Sequence, residues 1–163
     1  MTTLPGGVTA AQGFMAAGVH CGVRRNKSKR DIALILGNEP CSAAAVFTRN
    51  LVKAAPIELC MERLPGGYGT ARAILCNSGN ANACAPNGMR HARRMAASCA
   101  KQFGVSEDQV LVASTGVIGQ ELPVDVIEKG LPMLASVLSP PPQPVRHDRE
   151  RPPSLPMAVR SVS

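Results

Sequence analysis

The chain predicts an α/β fold, a layered domain of sheet and helices, on three observations. Short apolar runs recur between turn-forming residues, at 31–36, 71–76 and 109–113, as expected of buried strands. Residues 88–103 carry apolar side chains at helical spacing, as expected of a helix with one face on a sheet. Aromatic residues make up only 2% of the chain and Trp is absent. The core must therefore be built from Ala, Val, Leu, Ile and Met, sizes that suit close layering.

Taken in order, residues 1–13 read as an irregular lead-in and 14–23 as a first strand. Arg24, Arg25, Lys27, Lys29 and Arg30 follow and read as a solvated turn between strands. Residues 31–36 and 42–48 are the next strands, and Gly37-Asn38-Glu39-Pro40 between them suggests a hairpin. Residues 57–63 form a short helix, Pro65-Gly66-Gly67 a turn, and 71–76 a strand that runs into a polar loop, 77–82. Asn87 is placed to cap the main helix, since its side chain can accept a bond from a free backbone N–H. Ala92, Met95, Ala96, Cys99 and Phe103 form the buried face of that helix, and Gly104 suits a left-handed end.

Residues 109–113 read as a further strand terminated by Ser114-Thr115-Gly116. Pro123 suits the first turn of a last helix with Ile127, Leu131, Leu134 and Leu138 on its buried face. Pro132 lies inside that helix and predicts a kink or break. These elements make one domain, 1–138. Residues 139–163 hold half of the 14 prolines, with arginines and little that builds a core, and are expected to be a disordered tail. Pro141-Pro142-Gln143-Pro144 matches a PxxP groove ligand, a short match that an unfolded tail also explains.

The formal net charge is +7, which admits anionic partners. The basic stretch has no aromatic neighbours for base stacking, so no nucleic-acid partner is expected. The six cysteines show no CxxC spacing and no zinc-finger arrangement with His. They read as free thiols, with no metal site. No leader and no membrane-spanning apolar run is evident, and a cytoplasmic setting is expected. There is no P-loop, GxGxxG or HExxH pattern, so no cofactor is expected. His20 and His91 have no partner by spacing except Cys21 beside His20, and a Cys/His catalytic pair is the lesser reading.

Two stretches of small residues at strand ends, 77–82 and 114–116, bare the backbone where ligands commonly sit in α/β folds. Their N–H groups and short side chains suit an anionic oxygen. Taken singly, each also reads as a structural turn.

Taken together, the motifs resemble the N-terminal part of the ornithine acetyltransferase (glutamate N-acetyltransferase) family. The resemblance starts at Val8-Thr9-Ala10 and continues through Ala16-Ala17-Gly18-Val19-His20-Cys21-Gly22, Asp31-Ile32-Ala33-Leu34-Ile35 and Ala44-Ala45-Val46-Phe47-Thr48. Asn50 with Val52-Lys53-Ala54-Ala55-Pro56 follows, then Asn77-Ser78-Gly79-Asn80-Ala81-Asn82-Ala83-Cys84, the most distinctive block. Val112-Ala113-Ser114-Thr115-Gly116-Val117-Ile118-Gly119 comes next, with Leu122-Pro123 and Ile127-Glu128 last.

The resemblance implies the family's α/β fold and its place in arginine biosynthesis. It implies acyl transfer from N-acetylornithine to glutamate, with acetyl-CoA a further donor in some members. The family's precursor cleaves itself, and the threonine that begins the β chain is the nucleophile. Its α and β chains associate as a heterotetramer. The resemblance carries the oxyanion hole onto Thr115 and Gly116. After Leu138 no family motif is recognisable, and no counterpart of the nucleophile is expected in this chain. The chain alone is expected to be inactive. The alternative is a non-catalytic remnant or a basic binding module.

Overall fold

The computed structural model describes residues 7–138 and the backbone of 157–160. The fold is α/β. Strands β1 (Phe14–Val19), β2 (Ile32–Val46), β3 (Tyr68–Asn80) and β4 (Val110–Val117) form the sheet in that spatial order. β1/β2 and β2/β3 are antiparallel, and β3/β4 is parallel. Helix α1 (Ala55–Arg63) precedes β3, α2 (Gly88–Phe103) makes the crossover to β4, and α3 (Val124–Val137) follows. Within the stretch read as a tail, β5 (Met157–Arg160) pairs in parallel with residues 43–46 of β2. Residues 139–156, including the PxxP match, lie outside the described residues.

Helices α2 and α3 cover one face of the sheet. Leu34, Leu75 and Val110 lie under Met95 and Cys99 of α2 and Ile127, Leu131 and Leu134 of α3, all within 2% exposure. Burying a side chain of this size stabilises by about 1.5–3 kcal/mol. Arg94 ties the two helices on the outside, donating to Asp125 (2.7 Å) and Glu128 (2.6 Å). Among the described residues the opposite face is covered at one end only, where Cys60 and Leu64 meet Ala43, Ala71, Ile74 and Leu111. Helix α1 lies along the outer edge of β4: the Cys60 thiol donates to the Val112 carbonyl (3.3 Å), and the Arg63 guanidinium to that of Val110.

Several local expectations are corrected. The 37–40 hairpin does not form, and β2 runs straight through with a bulge between Leu36 and Cys41. Pairing with β3 continues on both sides, Leu36 with Ala73 and Cys41 with Ala71. Arg72 holds the extruded segment by donating to the carbonyls of Gly37 (3.2 Å) and Asn38 (2.8 Å). Long-range pairing therefore overrides the local turn signal. Residues 77–80 and 114–116 are strand rather than loop. Asn87 makes no capping bond; it sits in the left-handed region (φ 57°), and its amide donates to Glu121 (3.0 Å). Pro132 does not break α3, which continues to Val137. Its ring is on the exposed face, while Leu131 and Leu134 on either side are pinned in the core. That packing offsets the lost backbone bond.

Leu131→Ala should cost about 2–5 kcal/mol because a fully enclosed side chain leaves a cavity. Leu51→Ala, at a residue 94% exposed, should change stability by less than about 0.5 kcal/mol. Urea denaturation of both variants checks the pair.

Candidate active site at the ends of β3 and β4

The parallel pairing of β3 with β4 sets Asn77 beside Ser114, Ser78 beside Thr115 and Gly79 beside Gly116. The last pair is a close backbone approach. Gly79 has φ 116° and Gly116 φ 136°, a region that L side chains rarely adopt. A Cβ on Gly116 would lie 2.3 Å from the Gly79 carbonyl carbon and 2.5 Å from the Asn80 nitrogen. No side chain fits there.

Strand alternation then fixes what faces outward. Val110, Val112 and Ser114 face the helices, so Leu111, Ala113 and Thr115 face the open side of the sheet. Thr115 is exposed and borders a cleft of about 440 Å³. The peptide groups of a strand alternate between its two edges. The carbonyls of Val110 and Val112 point to the outer edge, toward α1, while that of Val117 points inward to Ala81 (2.9 Å). Gly116 follows Thr115 directly, so its N–H is next in the chain to the Thr115 hydroxyl. A hydroxyl and an amide so placed can both donate to one anionic oxygen.

Two networks hold this strand end. In the first, Asn77 donates to the Asn80 carbonyl (2.9 Å), and the Asn80 side chain donates to the carbonyls of Gln120 and Glu121 (both 3.1 Å). Asn80 also accepts from the Asn82 N–H (2.8 Å), and Asn82 donates to the Gly88 carbonyl (2.9 Å). All three asparagines are at most 5% exposed. They clamp the chain that leaves Gly116.

The second network centres on Asp31, whose side chain is fully buried. It accepts from the backbone N–H groups of Cys21 (2.7 Å), Gly22 (3.1 Å) and Arg24 (2.9 Å), with His20 Nδ1 at 3.0 Å. Burial alone would raise the carboxyl pKa, but the backbone donors outweigh it and hold the group below its ordinary value. The caged loop lays Arg24 against the Ser78 hydroxyl, with Nε at 3.0 Å.

The same cage settles the Cys/His reading. His20 is turned to Asp31, and burial with the nearby Asp31 charge pushes the Cys21 thiol up to about 11. Cys21 is therefore no thiolate nucleophile near neutral pH. Among the described residues no cluster could hold a metal ion, and no helix is long and apolar enough to cross a membrane.

A model of the ArgJ family matches residues 15–151. The chain belongs to the ArgJ family. It is 49% identical over 124 residues to the arginine biosynthesis bifunctional protein ArgJ of Chlorobaculum tepidum, covering 76% of this chain and 30% of that protein. The ArgJ protein of Symbiobacterium thermophilum is 46% identical over 142 residues, covering 86% of this chain and 35% of that protein. The chain thus spans about a third of the length of the curated relatives it matches. The fold is similar to the crystal structure of ornithine acetyltransferase complexed with ornithine from Mycobacterium tuberculosis. There the TM-score is 0.76 at 38% identity, with 82% of this chain and 72% of that chain covered. It is also similar to the Bacillus halodurans ArgJ crystal structure, with TM-score 0.71 at 44% identity and 76% and 64% covered.

The ordered motifs thus identified the ArgJ family correctly. The structure brings Thr115 and Gly116 together with residues 77–80 of the 77–82 stretch, as strands rather than loops. Arg25, Lys27, Lys29 and Arg30 are exposed, as a solvated turn requires. Asp31 was read only as the start of a strand, yet it organises the whole loop. A signal was present, since Asp31 is the lone acidic residue between Met1 and Asn38 and closes the basic stretch. The buried His91 also has a partner that spacing did not reveal, Glu121 at 3.6 Å.

Asp31→Asn should cost about 1.5–3 kcal/mol, the worth of charge-assisted bonds to caged amides. A carboxyl with a lowered folded pKa stabilises above its unfolded value, about 3.9, and that contribution fades as pH falls through the folded value. The acid limb of stability against pH should therefore be shallower in Asp31→Asn. Gly116→Ala should lower the urea midpoint and shift amide resonances of 77–80 and 114–117 most, since the clash is with backbone.

Proposed function

We propose that this chain supplies the oxyanion-stabilising part of an ornithine acetyltransferase site, which moves acetyl from N-acetylornithine to glutamate in arginine biosynthesis. The observation that carries the reading is the exposed Thr115, with Gly116 directly after it, on a cleft-bordering strand of an ArgJ-family chain.

The chemistry follows from charge. When a nucleophilic threonine oxygen attacks the acetyl carbonyl of N-acetylornithine, the C=O π pair moves onto oxygen. Thr115 Oγ–H and Gly116 N–H donate to that oxyanion. Collapse re-forms the carbonyl and expels ornithine as its amine, which takes up the proton the nucleophile loses. The acetyl ester left behind is then attacked by the glutamate amine through the same oxyanion, giving N-acetylglutamate and the free threonine. Preorganised donors stabilise both crossings because they need no reorientation as charge develops. The glycine pair and the asparagine clamp provide that preorganisation.

The nucleophilic threonine belongs to the family sequence beyond the matched portion, and the partner that brings it is the β chain. Joined α and β chains would form a heterotetramer, and the cytoplasm is the compartment proposed.

The purified chain should show no transfer of acetyl from N-acetylornithine to glutamate. Mixed with the nucleophile-bearing portion of an ArgJ protein, it should become active. Thr115→Ala should then lower kcat by about 10²–10³-fold. Full activity in that variant sinks the assignment of Thr115.

A further inference from the structure

The cleft beside Thr115 carries a cation that the oxyanion reading does not use. Its floor is made of Ala16, Gly18, Ala33 and Cys76, and its rim of Ser78, Thr115 and Arg30. The Arg30 side chain lies against β1 at Gly18, where a Cβ would be in ordinary contact with Arg30 Cδ at 3.4 Å. Arg30 is exposed, and among the described residues no acidic side chain or carbonyl holds its guanidinium.

The local charge balance makes this cation available. Asp31 also lines the cleft, but its carboxylate is taken up by three backbone N–H groups and the neighbouring His20. Arg24 is turned to Ser78. Arg25, Lys27 and Lys29 lie on the same loop and add to the positive field. The caged loop therefore offers one free planar fork at the mouth of the cleft that Thr115 borders. A guanidinium in that state pairs with a carboxylate through two parallel bonds.

The geometry points to Arg30 as the residue that binds a carboxylate of the amino-acid substrate in the Thr115 cleft. The assignment rests on the transferase reading for the identity of the substrate, though not for the binding itself. Glutamate carries two carboxylates and glutamine one, so the two ligands separate recognition of the α-carboxylate from recognition of the side chain.

The test is a titration of the full chain with sodium glutamate at a constant ionic strength of about 0.15 M, followed by backbone amide resonances. Saturable shifts are expected at Gly18, Arg30, Ala33, Ser78 and Thr115. Arg30→Gln should weaken binding about ten- to hundredfold, and Arg30→Lys should recover part of the loss. Arg25→Gln, at an exposed residue of the same loop that does not line the cleft, should leave the affinity within about twofold, since added salt and water screen a solvated charge. Equal binding of glutamine assigns Arg30 to the α-carboxylate, and loss with glutamine assigns it to the side chain; both support the site. No saturable shift at millimolar glutamate, unchanged affinity in Arg30→Gln, or an equal loss in Arg25→Gln overturns it. The titration needs no turnover. Its failure is therefore distinct from failure of the transferase reading, which the Thr115→Ala rate in the assembled enzyme decides.

Discussion

The carboxylate of Asp31 is enclosed by backbone N–H groups of a loop that would otherwise be held by little else. It lies at the start of β2, and through its two oxygens it collects Cys21, Gly22 and Arg24. Its own backbone ties the neighbouring strands: its N–H donates to Val19 (2.9 Å), and its carbonyl accepts from Ser78 (2.8 Å). One residue thus fixes the end of β1, the start of β2 and the end of β3. A buried charge is tolerated only when its lone pairs are met, so the loop has little freedom to move without exposing or orphaning that charge. Helix α3 closes on the same place, where a Cβ on Gly130 would come 2.6 Å from Cys21 Cβ.

The site is built on that frame rather than beside it. Ser78 is bonded to the loop through Arg24 and paired in register with Thr115. The Gly79–Gly116 approach brings the two backbones closer than side chains would permit, and the asparagine clamp fixes the outgoing chain. In the transferase reading, a donor pair for an oxyanion is useful only if it is in place before charge develops. Here rigidity comes from strands and buried amide bonds, not from a loop that must close. Cys60, Cys76 and Cys99 contribute packing: burial pushes the Cys99 thiol up to about 12 and raises Cys60 and Cys76 as well.

The two faces of the sheet divide the labour. One is sealed by α2 and α3 and supplies most of the apolar core. The other carries Ala16, Gly18 and Ala33, partly buried and with no covering helix among the described residues, and ends at the Thr115 cleft. Small side chains keep that face shallow, which lets a ligand approach the strand backbone. In the transferase reading this is the side from which substrate reaches the hydroxyl.

The sequence alone determined the α/β class and the family, and it singled out the pair Thr115 and Gly116 on which the proposed function rests. Helical periodicity, apolar runs and ordered motifs are local properties, and each is written in neighbouring residues. It also located the buried faces of α2 and α3, because a helix repeats every 3.6 residues whatever lies against it. The tertiary structure decided what depended on distant partners. Pairing with β3 turned the 37–40 hairpin signal into a bulge, core packing carried α3 through Pro132, and the parallel register made strands of residues expected in loops. The role of Asp31 was invisible for the same reason. Its three amide donors are 7–10 residues away in the chain, and only the folded loop brings them to one carboxylate.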